Sequence, residues 1–218
     1  MTCAMAAILG GLKDVIFGRL TLLALLNLAI AVALTVFAAG ALIKYVVPLI
    51  PDGGGWLANV STAGEFVASV AVVVLAIALS PAISMIVGGV LFFDVATSRI
   101  EKKIGAPPAR AVPLGEAIWN NTRIALPALV LNLIVIPLYF IPVINAVVFY
   151  GLNGFLMGRE YATVVAARHM SYRDAVAFRK RNGLAVFFVG LACSVIPFFA
   201  PLVGASAMTR FVHAAGRQ

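Results

Sequence analysis

The chain has 218 residues, of which 63% are hydrophobic and 11% charged, with a net charge of +8 and two cysteines. A soluble domain carries about 25% charged residues, so this composition marks an integral membrane protein. It argues against a soluble nucleic-acid binder, because the basic residues sit at the ends of apolar runs rather than among aromatics on a polar patch. Cys3 and Cys193 form no paired spacing, which leaves no disulfide framework and no cysteine metal site.

Met1–Phe17 is amphipathic. Met5, Ile8, Leu9, Leu12 and Ile16 follow helical spacing and predict a helix lying in the membrane interface. Gly18 breaks that helix, and Arg19 marks the membrane edge. Leu20–Ile43 (20–43) is apolar throughout and longer than the roughly 7–15 residues of a signal-peptide core, so it reads as a retained first span. Lys44–Glu65 is a loop with Pro48, Pro51 and the turn Asp52-Gly53-Gly54-Gly55. Phe66–Phe93 (66–93) is the second span, with a kink at Pro81 and a close-packing point at Gly88-Gly89. Asp94–Arg123 (94–123) is the longest polar stretch. It ends in a short interfacial helix, Pro113–Asn121, with Trp119 as a headgroup anchor.

Ile124–Gly158 (124–158) has no charged residue and is too long for one crossing. Pro137 and Pro142 interrupt it near its centre. The arms on either side reach roughly 20 and 24 Å at 1.5 Å per residue, short of the hydrocarbon core of about 30 Å. This predicts a hairpin that dips into the bilayer and returns. Arg159–Arg181 (159–181) is basic, and Ser171 with Asp174 has the spacing of a helix start. Asn182–Thr209 (182–209) repeats the device, since Val195-Ile196-Pro197-Phe198-Phe199-Ala200-Pro201 resembles Val135-Ile136-Pro137-Leu138-Tyr139-Phe140-Ile141-Pro142. The expected architecture is a single all-α membrane domain over 1–218. It has two long transmembrane helices, two re-entrant hairpins and interfacial amphipathic helices. Six spans with short or tilted arms is the alternative.

Of the 16 Lys and Arg, Lys44 alone falls in the Lys44–Glu65 loop. The positive-inside rule therefore puts that loop outside and both termini in the cytoplasm. No Asp, Glu, Lys, Arg or His lies inside any of the four apolar runs, which argues against cation pumps and proton relays. His169 and His213 read as isolated interfacial histidines. No GxSxG, HExxH or phosphate loop is present, so neither an enzyme, a cofactor nor a metal is expected.

Gly18 and Arg19 are candidates for a tetrahedral oxyanion, a glycine turn with an adjacent guanidinium; topology alone also explains a basic residue before a span. Pro142 and Pro201 would begin the returning arms, where free N–H groups attract an anion along a path that includes Asn145. Those groups could instead be satisfied by Asn145, Ser194, Ser206 or water. Arg159 and Glu160 could pair at the membrane edge. Gly151, Gly154 and Gly158 form a small-residue face for helix packing.

The chain resembles the CysZ-type sulfate permease family of bacterial inner membranes. The resemblance is carried by Gly18-Arg19 before Leu22-Leu23-Ala24-Leu25-Leu26-Asn27, by Leu91-Phe92-Phe93 leading to Ile100-Glu101-Lys102-Lys103-Ile104-Gly105, by Tyr139-Phe140-Ile141-Pro142-Val143-Ile144, by Arg179-Lys180-Arg181 and by Ile196-Pro197-Phe198-Phe199-Ala200-Pro201. It implies two transmembrane helices with two hemi-penetrating hairpins, a homo-oligomer in the phospholipid bilayer, and sulfate uptake feeding cysteine synthesis. Members carry a glycine and paired arginines at the sulfate-binding turn. Here Gly18 and Arg19 match, and Leu20 stands at the second arginine. The competing expectation is a non-transporting membrane scaffold of the same fold, using Met1–Phe17 and Arg159–Arg181 as docking surfaces.

Overall fold

The computed structural model describes residues 2–216 apart from 46–63, 65, 75, 77–79, 81, 82, 85, 86, 136, 137, 139, 140, 142, 143 and 197. The loop prolines and Asp52-Gly53-Gly54-Gly55 turn, the Pro81 kink, and Pro137, Pro142 and Pro197 of the hairpin centres thus lie outside the described residues.

All regular structure among those residues is helical. Helix α1, Thr2–Ile16, turns into α2, Thr21–Tyr45. α2 is apolar on every side, with a mean hydropathy of 2.5, and most of it is not covered by protein. Leu22, Leu25, Val36 and Phe37 all face outward. Such a helix suits lipid, and its length of roughly 37 Å exceeds the hydrocarbon core. Among the described residues it is the one helix long and apolar enough to cross a membrane. Further along, a π-helical turn at Gly88–Phe92 runs straight into α3, Phe93–Ile104.

Helix α4 is continuous over Leu114–Val135, with Pro127 inside it. The short helix expected to stop at Asn121 therefore does not stop. No glycine or proline lies between Asn121 and Ile124, so the backbone has no reason to end there. α5, Ile144–Ala167, likewise runs through Gly158, and the boundary at Arg159 is one of charge only. α6, Tyr172–Arg181, starts where expected, with the Ser171 hydroxyl accepting the Asp174 N–H at 3.2 Å. α7, Gly183–Ser194, and α8, Ala200–Ala215, form a helical hairpin; α8 continues past Arg210.

α8 is the centre of the packing. Every residue from Ala200 to Thr209 is buried, and α1, α3, α5 and α7 surround it. α5 and α7 meet backbone to backbone. A Cβ added at Gly190 would strike the Gly154 carbonyl and the Gly158 backbone, so only glycine fits that crossing. Small residues of this kind drive helix packing in lipid, where hydrophobicity draws no helix to another. Gly154 and Gly158 thus fulfil the expected packing face, whereas Gly151 touches nothing within 4 Å.

α1 packs on α8 through Ala4, Ala7, Gly11, Asp14 and Val15, its small-residue face. Met5, Leu9 and Ile16, three of the residues that define its expected apolar stripe, point away from the protein at 58%, 60% and 53% exposure. Asp14 is 1% exposed. Its Oδ2 accepts Ser206 Oγ at 2.7 Å and Arg210 Nε and Nη2 at 3.0 and 2.6 Å, while Oδ1 accepts Lys103 Nζ at 2.5 Å. α1, α3 and α8 are joined at one carboxylate. Burial raises the Asp14 pKa, but the hydrogen bonds from Lys103, Arg210 and Ser206 outweigh it, and the group lies below its ordinary 3.8.

Removing one partner of a buried ion pair costs about 3–5 kcal/mol. Because Lys103 and Arg210 both reach solvent at 37% and 25% exposure, Asp14→Asn is expected toward the lower end. It should lower the thermal midpoint in detergent by several degrees, and Asp94→Asn, whose carboxylate is 79% exposed, should not. A depressed folded pKa means that the unfolded chain binds more protons in the window below the ordinary value. The stabilisation from Asp14 is therefore whole above pH 3.8 and lost as acid passes through its folded pKa, which a midpoint series in pH checks. Gly190→Val should overpack the α5–α7 crossing by roughly 1–3 kcal/mol or more, read as loss of the monodisperse peak in size-exclusion chromatography.

Candidate oxyanion turn and polar clusters

α1 gives way to α2 within four residues. Leu20 N–H donates to the Asp14 carbonyl at 3.0 Å, and the Thr21 N–H and hydroxyl both donate to the Gly18 carbonyl, at 3.3 and 3.0 Å. A Cβ at Gly18 would lie 2.7 Å from Asp14 Cα, so the fold-back requires glycine. Arg19 is exposed at the crest. Arg99, from α3, donates Nη1 to the Arg19 carbonyl at 3.3 Å. Two guanidiniums therefore stand at this turn, one from the expected residue and one that the sequence reading did not single out. The first turn of α2 adds the positive end of a 25-residue helix. An exposed Arg19, a half-buried Arg99 and a helix N-terminus make a setting that favours a tetrahedral oxyanion.

The hairpin tips offer less. Pro142 lies outside the described residues. Asn145 is exposed in the first turn of α5, its N–H bonded to the Ile141 carbonyl at 2.9 Å. Pro201 is buried in the first turn of α8. That turn does not present a row of free donors, however. Leu202 and Val203 N–H both donate to the Phe199 carbonyl, at 3.0 and 2.9 Å, and proline has no N–H. Ser194 and Ser206 do not cap it either, since they bond the Leu191 carbonyl and Asp14.

A polar node instead joins this tip to α2 and to Ser84. Asn27 of α2 is fully buried and donates Nδ2 to Ser84 Oγ at 2.8 Å and to the Phe198 carbonyl at 3.0 Å. Ser84 Oγ donates to the same carbonyl at 2.8 Å. Asn27 Oδ1 has no hydrogen-bond partner among the described residues, and it lies against Gly88, where the helix widens into its π turn. π turns recur at functional sites.

A third cluster ties the ends of α3, α5 and α8. Arg168 Nε and Nη2 donate to the two oxygens of Glu101 at 3.0 and 3.1 Å, and its other donors reach Asp94 at 3.0 Å and Ser98 at 2.8 Å. A carboxylate only accepts, so His169 Nε2 carries the proton in its 2.8 Å bond to Glu101. The His169 and His213 rings stack edge to face at 4.6 Å. The two histidines are thus not isolated, contrary to their reading in the sequence: neither has a sequence neighbour of this kind, and the fold brings them together. Burial raises the Glu101 pKa, but the hydrogen bonds from Arg168 and His169 prevail and hold it below its ordinary 4.5. Glu101, His169 and His213 place one ligand atom each within 4.8 Å of one another, a set that suits a divalent cation. Arg168 already takes both Glu101 oxygens and supplies the positive charge that an ion would bring.

Arg159 and Glu160 are not an ion pair among the described residues. Consecutive residues on a helix diverge. Arg159 Nη2 reaches the Arg123 carbonyl at 3.5 Å, and Glu160 is exposed.

Sequence reading missed Asp14, Asn27, Arg99 and Glu101 as site residues. The available signal was the polar residue itself: one asparagine inside the first apolar run and one aspartate amid the apolar residues of Met1–Phe17. No curated protein and no solved structure gives a significant match to the chain. The family described as "Sulfate transporter CysZ/Etoposide-induced protein 2.4" matches residues 7–207, a stretch that holds the Gly18–Arg19 turn, the Asn27 node and, of the Glu101 cluster, Glu101, Arg168 and His169. The chain belongs to that family of membrane proteins.

Proposed function

We propose that the chain is an oxyanion permease of a bacterial inner membrane, with sulfate as its substrate and cysteine synthesis as the consumer. The observation that carries this reading is the turn at Gly18 and Arg19, where Arg99 supplies a second guanidinium beside the N-terminus of α2. Sulfate needs several donors arranged around a tetrahedron, and two forked guanidiniums with helix amides provide them. The absence of Asp, Glu, Lys, Arg and His inside the apolar runs favours passive or weakly coupled movement over a proton relay.

The re-entrant reading draws support from arm length at the second hairpin alone, where α7 and α8 span roughly 18 and 24 Å; α4 and α5 of the first, at roughly 33 and 36 Å, are long enough to cross. With both termini cytoplasmic, the turn stands at the inner mouth. Packed copies of the chain in a homo-oligomer would enclose the route.

The test is uptake of labelled sulfate into liposomes that hold the purified chain. Arg19→Ala should reduce sulfate uptake at low concentration by about tenfold or more, since hydrogen bonds to charged groups contribute about 1.5–3 kcal/mol. Arg99→Ala should give a smaller loss in the same direction, and Arg173→Ala, exposed on α6, none. Sulfite should compete and chloride should not. Uptake no greater than that of empty liposomes, with folded protein confirmed, would overturn the proposal and leave the scaffold reading.

A further inference from the structure

A second basic cluster has no part in the turn at Gly18 and Arg19. Arg159 of α5 and Arg179 and Lys180 of α6 line a cavity of about 390 Å³ whose walls include Leu131, Phe155 and Phe187, from α4, α5 and α7. Among the described residues no carboxylate lines it. Arg159 donates to the Arg123 carbonyl at 3.5 Å and Arg179 Nη1 to the Thr163 hydroxyl at 3.4 Å. These are long contacts for groups with five donors each. Among the described residues neither guanidinium is in an ion pair. Burial, and next the charge of Arg159, draw Arg179 below its ordinary pKa. Two like charges are therefore held close across a partly enclosed space, an arrangement that a bound anion relieves.

The position of the cavity narrows the choice of anion. Arg159 is the first charge after the uncharged run Ile124–Gly158, and Arg179 and Lys180 precede the one from Asn182. Nearby, the Arg123 guanidinium lies over the rings of Trp119 and Tyr172, at 4.8 and 5.5 Å. Basic residues with Trp and Tyr at the ends of apolar runs mark the headgroup level of a membrane. The cavity is cationic where the charged segments begin and apolar along the arms. A free sulfate or phosphate would occupy only its basic end and leave the apolar walls wet.

The geometry points to a docking site for an anionic phospholipid, its phosphate among Arg159, Arg179 and Lys180 and its acyl chains along Leu131, Phe155 and Phe187. The occupant would tie α4, α5, α6 and α7 together at the bilayer surface. The site is separate from the oxyanion turn and stands whether or not the chain carries sulfate.

Native mass spectrometry of the full chain in detergent, titrated with phosphatidylglycerol or phosphatidylcholine, tests this. Phosphatidylglycerol should be retained in preference to phosphatidylcholine. The double variant Arg159→Gln with Arg179→Gln should weaken that retention about 30-fold, at about fivefold per charge removed. Arg173→Gln removes the same charge from an exposed site on α6 and should leave retention unchanged. Lys180→Gln, also exposed, should weaken it about fivefold and decides the question if the double variant does not fold. Sodium sulfate against sodium chloride at equal ionic strength separates lipid phosphate from a free oxyanion. Equal displacement by the two salts supports the lipid. Selective displacement by sulfate, no preference between the lipids, or equal retention in wild type and the cavity variants would overturn the proposal.

Discussion

Asp14 is 1% exposed, and its two oxygens receive Lys103 from α3 and Ser206 and Arg210 from α8. A charge removed from water at this depth is unfavourable unless its lone pairs are filled and its charge is matched. Here both conditions hold, and they hold only while α1, α3 and α8 keep their mutual register. The same residue acts through its backbone as well. Its carbonyl accepts Leu20 N–H, and its Cα sits where a side chain at Gly18 would have to go. The Gly18–Arg19 turn is therefore shaped by the residue that locks the bundle, and Arg99 reaches Arg19 because α3 is tied to that point through Lys103.

The other polar contacts divide the chain into two levels. Glu101, Arg168, His169 and the Arg110–Glu116 pair gather where the charged segments leave the apolar arms. Within the arms, packing depends on glycine-to-backbone approach and on the node of Asn27, Ser84 and the Phe198 carbonyl. Lipid does not squeeze apolar helices together, so close approach and interhelical hydrogen bonds must do so. The Phe198 carbonyl is left over where the α7–α8 hairpin turns, and buried carbonyls need donors. Asn27 and Ser84 provide two, which holds the tip against α2 and the π turn.

What could be read from the sequence was set by local physics. α2 was legible because a long apolar run has one solution in a bilayer, and α6 because Ser171 and Asp174 cap each other through three residues of backbone. The buried face of α1 was not legible. Hydrophobic spacing selected Met5, Leu9 and Ile16 for the membrane interface, and these residues do face away from the protein. It says nothing of the opposite face, which packs on α8 through alanine, glycine and Asp14, because small residues leave no hydrophobic period. The site was half legible. Gly18 and Arg19 are adjacent in sequence, whereas Arg99 is 80 residues away and joins them only through the fold.

Leu20 shows how that half was completed. It stands where the family's second arginine is expected, and it is fully buried in the core cluster with α8 residues such as Leu202. An arginine at this position would have to carry its charge into that cluster, beside Lys103 and Arg210, which already bring two positive charges to Asp14, or force the turn open. Leucine keeps the turn closed and gives up one cation. Arg99, half-buried on a neighbouring helix, brings a second guanidinium to the Arg19 carbonyl. On the proposed reading, the second cation of the turn is supplied by the fold and not by sequence position. An arginine assigned only by its place beside Gly18 would miss the residue that supplies it.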